Sequence, residues 1–176
     1  MRRGVRAACA AVLLALVVAA CGDSSDVDTS PTTSIVSGEC VPEARAKCRD
    51  ADLQSADLAG RDLSGIDLRR ANLTGAKLAG TNFTDANLIG ADLSGADLSG
   101  AVLVRAALDD TNLSGANLYG VRLTSAKLRR AMLAGATMIN VFATDADFTG
   151  STDGDFSRTF FCNTTMADGE VAEPSC

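Results

Sequence analysis

The feature that most constrains this chain is a five-residue period that runs from residue 51 to residue 150. Leucine or another apolar residue occupies the third position of 20 consecutive pentapeptides, and only Ala143 among these centres is small. Alanine usually stands two residues before the centre, Asp or Asn one residue before it, and Gly two residues after it. The consensus is therefore Ala-(Asp/Asn)-Leu-x-Gly.

This period fits neither of the two regular elements. On an α-helix a five-residue step advances by about 140°, so the leucines would spiral around every side. On a strand an odd step would place successive leucines on opposite faces. Gly is the third residue of Leu-Ser-Gly-Ala, where a type II turn requires a positive φ, and Asp and Asn support tight turns. The pattern therefore predicts a corner every five residues, with leucine and alanine inside.

Tandem Ala-(Asp/Asn)-Leu-x-x units resemble the pentapeptide repeat family, and the resemblance covers about 100 of the 176 residues. It implies an all-β fold, a right-handed quadrilateral β-helix with four pentapeptides per coil. Residues 51–150 would then form about five coils, each rising by about 4.8 Å, the spacing of neighbouring strands.

Residues 1–20 are predicted to be a lipoprotein signal peptide. Arg2, Arg3 and Arg6 precede an uncharged apolar run at residues 7–20, which is short for a membrane span. Val-Ala-Ala directly before Cys21 resembles a bacterial lipobox. The resemblance implies acylation of the Cys21 thiol and cleavage before it, and two or more acyl chains anchor a protein stably. The alternative is an ordinary secretory signal in which Cys21 is incidental.

The segments between the signal and the repeats are predicted to be a tether and a cap. Residues 21–39 are polar and rich in Ser and Thr, which is typical of a flexible tether. Residues 40–50 contain Pro42, Glu43 and several good helix formers, which predicts a short helix. We expect this helix to cap the first coil, because a bare end exposes apolar rungs and unpaired backbone.

The register breaks after Phe148. The next large apolar residues, Phe156, Phe161 and Met166, are again five apart but are displaced by eight from Phe148. This displacement predicts three extra residues in a loop within 151–154. Residues 151–176 would form this loop, a last partial coil and a C-terminal cap.

Cysteine usage predicts disulfides at both ends of the repeats. An even number of cysteines in an exported protein implies disulfides. Among three possible pairings we favour Cys40–Cys48 and Cys162–Cys176, because the two pairs belong to opposite ends; each would staple a cap. The alternative, a zinc site, requires the ends to meet. Four cysteines remain once Cys9 leaves with the signal and Cys21 carries lipid: Cys40, Cys48, Cys162 and Cys176.

Composition argues against catalysis and against nucleic-acid binding. The chain has no histidine, which removes His-based triads and His-containing metal clusters, and no Gly-rich phosphate loop is present. Loss of Arg2, Arg3 and Arg6 leaves 13 basic residues against 22 acidic ones. We therefore predict no enzymatic activity, no cofactor, no metal and no nucleic-acid partner.

Any binding function must then lie on the outer faces, where residues 20 apart stack. One face collects charged side chains and the next collects outward apolar ones, with Ile139 and Phe142 expected to lie under the C-terminal cap. Exposed apolar clusters often mark binding sites. The alternative is a solvated face with ion-pair ladders, which contribute little. The candidate partner surface comprises Val102, Val104, Arg105, Arg122, Tyr119, Arg69, Arg70, Lys127, Arg129 and Arg130.

Two functions follow from these features. The first is a non-catalytic, membrane-anchored lipoprotein at the cell envelope, a monomer that acts as a protein-binding or structural module with an unidentified partner. The second comes from the resemblance, since some pentapeptide repeat proteins are acidic DNA mimics that bind DNA gyrase and confer quinolone tolerance. The export signal opposes the second function, because gyrase is cytoplasmic.

Overall fold

The computed structural model describes residues 40–172. The predicted signal peptide, Cys21, the tether and Cys176 lie outside the described residues. Two short strands occur, β1 at Val141–Thr144 and β2 at Thr159–Cys162, and they pair in parallel. The rest of the described chain has no helix and is built from isolated bridges between tight turns, all parallel except the antiparallel bridge between Thr165 and Val171.

Bridged residues are 20 apart over most of the described chain, so four pentapeptides make one coil and each coil has four sides. This arrangement confirms the predicted quadrilateral β-helix. We name the four faces by their ladders. The first face carries Lys47, Asp67, Asn87, Ala107, Lys127, Asp147 and Thr165; the second carries Asp52, Asn72, Asp92, Asn112, Met132 and Thr152; the third carries Asp57, Lys77, Asp97, Asn117 and Thr137; the fourth carries Asp62, Asn82, Val102, Arg122, Phe142 and Phe160.

Each bridging residue uses both of its backbone groups to hold the preceding coil. Asn72 is an example: its N–H donates to the Ala51 carbonyl at 2.9 Å, and its carbonyl accepts from the Leu53 N–H at 2.7 Å. The same pair of bonds recurs along every ladder. The backbone of one coil therefore fixes the register of the next.

The centres and the alanines form one continuous core. The leucine centres from Leu53 to Leu133 are at most 3% exposed, and the larger Phe83 and Phe148 are fully buried. Full burial of such a side chain contributes roughly 1.5–3 kcal/mol. The smaller alanines let the facing leucines approach the axis, so stacked centres supply most of the apolar contact that holds the coils together.

Most buried polar side chains at alanine positions of this core have a hydrogen-bond partner. The buried hydroxyls of Thr81 and Thr111 donate to the carbonyls of Leu58 and Leu88, at 2.8 and 2.9 Å. Ser151 occupies the same position at the end of the repeats, and its buried hydroxyl has no partner among residues 40–172.

The corners adopt the predicted turn. Every fifth residue from 45 to 150 has a positive φ, and 11 of these 22 corner residues are glycine. At a typical corner the Ala96 N–H donates to the Leu93 carbonyl at 3.1 Å and Gly95 has φ of 64°. Asp92 accepts from the Ser94 N–H at 2.9 Å and so supports the turn from inside its own pentapeptide.

The predicted N-terminal helix is wrong. Residues 40–50 form a further pentapeptide-like rung, in which the Cys48 N–H donates to the Asp67 carbonyl at 2.7 Å and the Arg45 N–H donates to the Ser64 carbonyl at 2.8 Å. Cys48 takes a centre position at 1% exposure and is bonded to Cys40. So short a helix is unstable by itself, whereas stacking on the first coil satisfies the backbone and buries Cys48.

The C-terminal break differs from the prediction in kind. Val141 pairs with Thr159, so the last coil has 18 residues and is two residues short of a full coil, rather than carrying a three-residue insertion. The described part of the cap, residues 151–172, continues the ladder, and Phe142 remains 49% exposed. Cys162 is disulfide-bonded, and Cys176, its predicted partner, lies outside the described residues.

The corner geometry yields a first prediction. Gly95 has open space around its Cα, so a substitution there tests backbone conformation alone. We expect Gly95→Ala to lower the free energy of unfolding by about 1 kcal/mol, because a Cβ disfavours positive φ, and Gly95→Asn to cost less, because Asn tolerates that region. Urea denaturation measures both, with Ser94→Ala as the control. Equal costs for Ala and Asn would contradict a φ-controlled corner.

Candidate interaction surface

Three ion pairs join corners of successive coils in the described part of the chain. Arg70 binds Asp50, Arg105 binds Asp85 and Arg130 binds Asp110, in each case 20 residues apart and through two nitrogens at 2.7–2.8 Å. The spacing places each guanidinium directly over a carboxylate one strand-width away. These are forked arginine–carboxylate pairs, but their side chains are about half exposed or more.

The guanidinium groups also change the acidity of their partners. Hydrogen bonds from Arg70, Arg105 and Arg130 lower the pKa of Asp50, Asp85 and Asp110, and the arginine charge adds to the effect. Because these groups are exposed, solvent and salt screen the pairs. The columns therefore neutralise charge locally without adding much stability.

Asp109 is the exception, because it is only 6% exposed. Its carboxylate accepts from the Arg129 backbone N–H at 3.0 Å and from Arg129 Nε and Nη2 at 3.1 and 2.6 Å. The hydrogen bonds from the Arg129 side chain, followed by the one from its backbone, hold the pKa of Asp109 below its usual value. This pair holds Arg129 in place at the corner of the first face, next to Arg130.

Most basic residues of the candidate partner surface are thus already paired. Arg69 binds Asp67 within its own coil at 2.8 Å, and Arg49 also binds Asp67, at 2.6 Å. Within residues 40–172, only Lys127 and Arg122 among the predicted basic partner residues lack an ion pair. The charged part of the candidate surface is therefore an ion-pair ladder, which was the alternative that the sequence left open.

The apolar part of the candidate surface lies on the fourth face and its corner. Val102 and Val104 are half-buried and Arg122 is exposed. Beyond Arg122 the ladder continues with Phe142 and Phe160, whose rings stack with centroids 5.3 Å apart and 15° between planes. Both rings are about half exposed. The face becomes more apolar toward the C-terminal end.

Tyr119 lies at the corner between the third and fourth faces and is 50% exposed. Its hydroxyl accepts from Asn140 Nδ2 at 3.2 Å. The structure therefore brings Tyr119 to the edge of the face that carries Phe142, as a phenol held by one hydrogen bond.

Phe160 is the surface residue that sequence reasoning missed. Phe161 was identified as a core centre, and the residue before a centre always faces outward in this fold. Phe160 therefore had to be outward, but its place above Phe142 follows only from the 18-residue coil.

Other kinds of site find little support in the described part of the chain. Residues 40–172 contain no group of three or more His, Cys, Asp or Glu side chains arranged to hold a metal. A search of the same residues for a helix of the length and hydropathy that a membrane crossing needs finds none.

Comparison with known proteins identifies the class of this fold. The family model for pentapeptide repeats matches residues 46–85, 86–124 and 116–152, with 8 copies. The chain belongs to the pentapeptide repeat family. Proteins of this family are generally structural or binding modules. A comparison with curated proteins finds no match.

Several solved structures are similar to the chain. A trypsin-treated variant of QnrB1, a plasmid-mediated fluoroquinolone resistance protein, is 20% identical with a TM-score of 0.52, and the match covers 73% of this chain and 77% of that one. A pentapeptide repeat protein from the thylakoid lumen of Arabidopsis thaliana is 31% identical with a TM-score of 0.41, covering 71% and 83%. Rfr23 from the cyanobacterium Cyanothece 51142 is 25% identical with a TM-score of 0.48, covering 73% and 92%.

The Asp109–Arg129 pair yields a second prediction. We expect Asp109→Ala to lower the free energy of unfolding at pH 7 by about 1–3 kcal/mol, because it removes three charge-assisted hydrogen bonds. Since folding lowers the pKa of Asp109, its contribution is complete above the unfolded pKa of about 4 and is lost as the pH falls through the folded pKa.

Urea denaturation at neutral pH and near pH 2 measures this effect. The difference between the parent and Asp109→Ala should shrink in acid. Asp110→Ala, which removes a carboxylate whose pair with Arg130 is exposed, is the control and should cost less at neutral pH. A difference that is independent of pH would contradict the assignment.

Proposed function

We propose that this protein is a non-catalytic lipoprotein, anchored in the membrane through acylated Cys21, that acts as a protein-binding or structural module at the cell envelope. The proposal combines the family membership of residues 46–152 with the signal-like leader before Cys21. The 16 residues 23–38 of the tether would separate the β-helix from the membrane by a typical distance of about 20–24 Å.

One observation carries the binding part of this proposal: the stacked, half-exposed Phe142 and Phe160 on the fourth face. Outward ladder positions elsewhere are mostly polar, and an outward aromatic pair gains nothing from the core. Aromatic side chains are enriched at protein interfaces. Val102 and Val104 extend the same face toward the middle of the solenoid, and unpaired Arg122 lies between Val102 and Phe142.

The gyrase-binding alternative is less favoured because the signal-like leader before Cys21 predicts export, whereas gyrase is cytoplasmic. A protein that imitates DNA must present unneutralised carboxylates at regular spacing, because gyrase binds a chain of phosphates. Here Asp50, Asp85, Asp109 and Asp110 are each neutralised by an arginine one coil away, whereas Asp52, Asp62, Asp92 and Asp97 take part in no ion pair within residues 40–172. The likeness to QnrB1 at 20% identity extends to the fold alone.

A third prediction tests the anchor. We expect the protein expressed in bacteria to incorporate labelled palmitate, to partition into the detergent phase and to accumulate as a precursor in the presence of globomycin, which blocks lipoprotein signal cleavage. Cys21→Ser should abolish the label and the globomycin effect, and Cys162→Ser is the control that should retain both. A soluble, unlabelled cytoplasmic product that inhibits gyrase would instead support the alternative.

A fourth prediction tests the partner. Chemical crosslinking in intact cells, followed by purification, should recover an envelope protein with the parent chain and recover less of it with Val104→Asp. The substitution places a charge beside the apolar part of the fourth face. Ser94→Asp places the same charge on a different side of the β-helix and is the matched control. Equal recovery with both variants would contradict a fourth-face interface.

A further inference from the structure

The shortened last coil leaves one rung of the third face unfilled. The third-face ladder ends at Thr137, whereas the first and fourth faces continue to Thr165 and Phe160. Thr137 bonds the coil below it: its N–H donates to the Ala116 carbonyl and its carbonyl accepts from the Leu118 N–H, both at 2.9 Å. The corresponding groups above Thr137, the Met138 N–H and the Ala136 carbonyl, have no partner among residues 40–172.

A groove of about 260 Å³ occupies the place of the missing rung. Ala136, Met138 and Ile139 line one side of it, and residues 155–158 line the other. The Ser157 N–H donates to Asp155 Oδ1 at 3.0 Å, as the Ser94 N–H does to Asp92 in a regular rung, but residues 155–157 form no bridge to the third-face ladder. The groove is therefore bounded by an unpaired backbone edge, at which Ala136 and Met138 are 9% and 2% exposed, and by the turn at residues 155–158.

The chemistry of this edge specifies its occupant. In every regular rung of this fold, a single residue supplies the N–H for one carbonyl and the carbonyl for the N–H two residues further along. Only a polypeptide in an extended conformation offers both groups on one residue with that spacing. Unpaired edges of this kind are the usual sites of strand addition by another chain.

We propose that an extended segment of a partner protein adds the missing third-face rung. One of its residues donates its N–H to the Ala136 carbonyl and accepts from the Met138 N–H. Neighbouring side chains of the segment contact half-buried Ile139, and Asp155 and Arg158, which are exposed and without an ion pair in the described part of the chain, are placed to bind charged side chains. The proposal rests on the proposed protein-binding function and names its mode.

Amide hydrogen exchange on the free protein provides the first test. The Met138 amide should exchange at least about a hundredfold faster than the amides of Leu98 and Leu118, which occupy the same position in the two coils below and donate to Asn117 and Thr137. Protection of the Met138 amide equal to that of Leu118 would overturn the proposal, because the edge would then be closed.

Peptide selection provides the second test. A phage-displayed library of random linear peptides is selected on the purified full chain, and binding of the enriched peptides is measured. We expect these peptides to protect the Met138 amide. An insertion of Ala-Asn after Gly154 restores a 20-residue coil, fills the rung from within the chain and should weaken peptide binding by at least about tenfold.

Two further variants keep this test decisive. Ile139→Asp changes the groove without altering the length of the coil and should also weaken binding, while Met132→Ala, on the exposed second face, should not. The proposal fails if no peptide is enriched, or if the enriched peptides bind the insertion variant and Ile139→Asp as tightly as the parent. A crosslinked envelope partner lost in Val104→Asp would then still support the proposed function through the fourth face.

Discussion

The backbone ladder between successive coils is the interaction on which the rest of this structure depends. Because each bridging residue pairs with the residue 20 positions earlier over most of the described chain, the outward side chains of successive coils stack in a fixed register. Asn72 Nδ2 donates to Asp52 Oδ1 at 3.0 Å for this reason, and Arg105 meets Asp85. On the ladders named above, no aspartate lies directly over another. On these ladders the aspartates are thus kept apart, and where Arg49 and Arg69 are stacked, both bind Asp67.

The part of the fold that repeats could be predicted from the sequence, because the residues that determine each turn and each buried position lie within one pentapeptide. Leu93 is buried, Gly95 turns and Asp92 supports the turn, and none of these depends on distant residues. The N-terminal cap could not be predicted from propensity, since the helix-forming residues before Cys48 gain more by stacking on the first coil. Local preference is decisive only where no neighbouring backbone competes.

The candidate surface could also be predicted only where it follows the regular repeat. Ion pairs at a spacing of 20, such as Asp50 with Arg70, follow from the column rule once four sides per coil are known. The pair that Arg69 forms with Asp67 does not follow, because both lie in one coil and the contact depends on side-chain conformation. Phe160 was missed for a different reason: whether a break in the repeats lengthens or shortens a coil is decided by where pairing resumes, and the sequence does not show that position.

The regular columns and the irregular end therefore have different capacities for binding. Within the columns, backbone groups bond the adjacent coils, and arginines such as Arg70, Arg105 and Arg130 are paired with aspartates, so a partner gains little by replacing contacts that already exist. The 18-residue coil interrupts this regular pairing in two places: it leaves the backbone edge at Met138 unpaired, and it stacks the half-exposed rings of Phe160 and Phe142. Both features arise from the absence of two residues. A solenoid of this type can thus present an unpaired backbone edge and outward aromatic rings where one coil is two residues short, while its regular repeats stay unchanged.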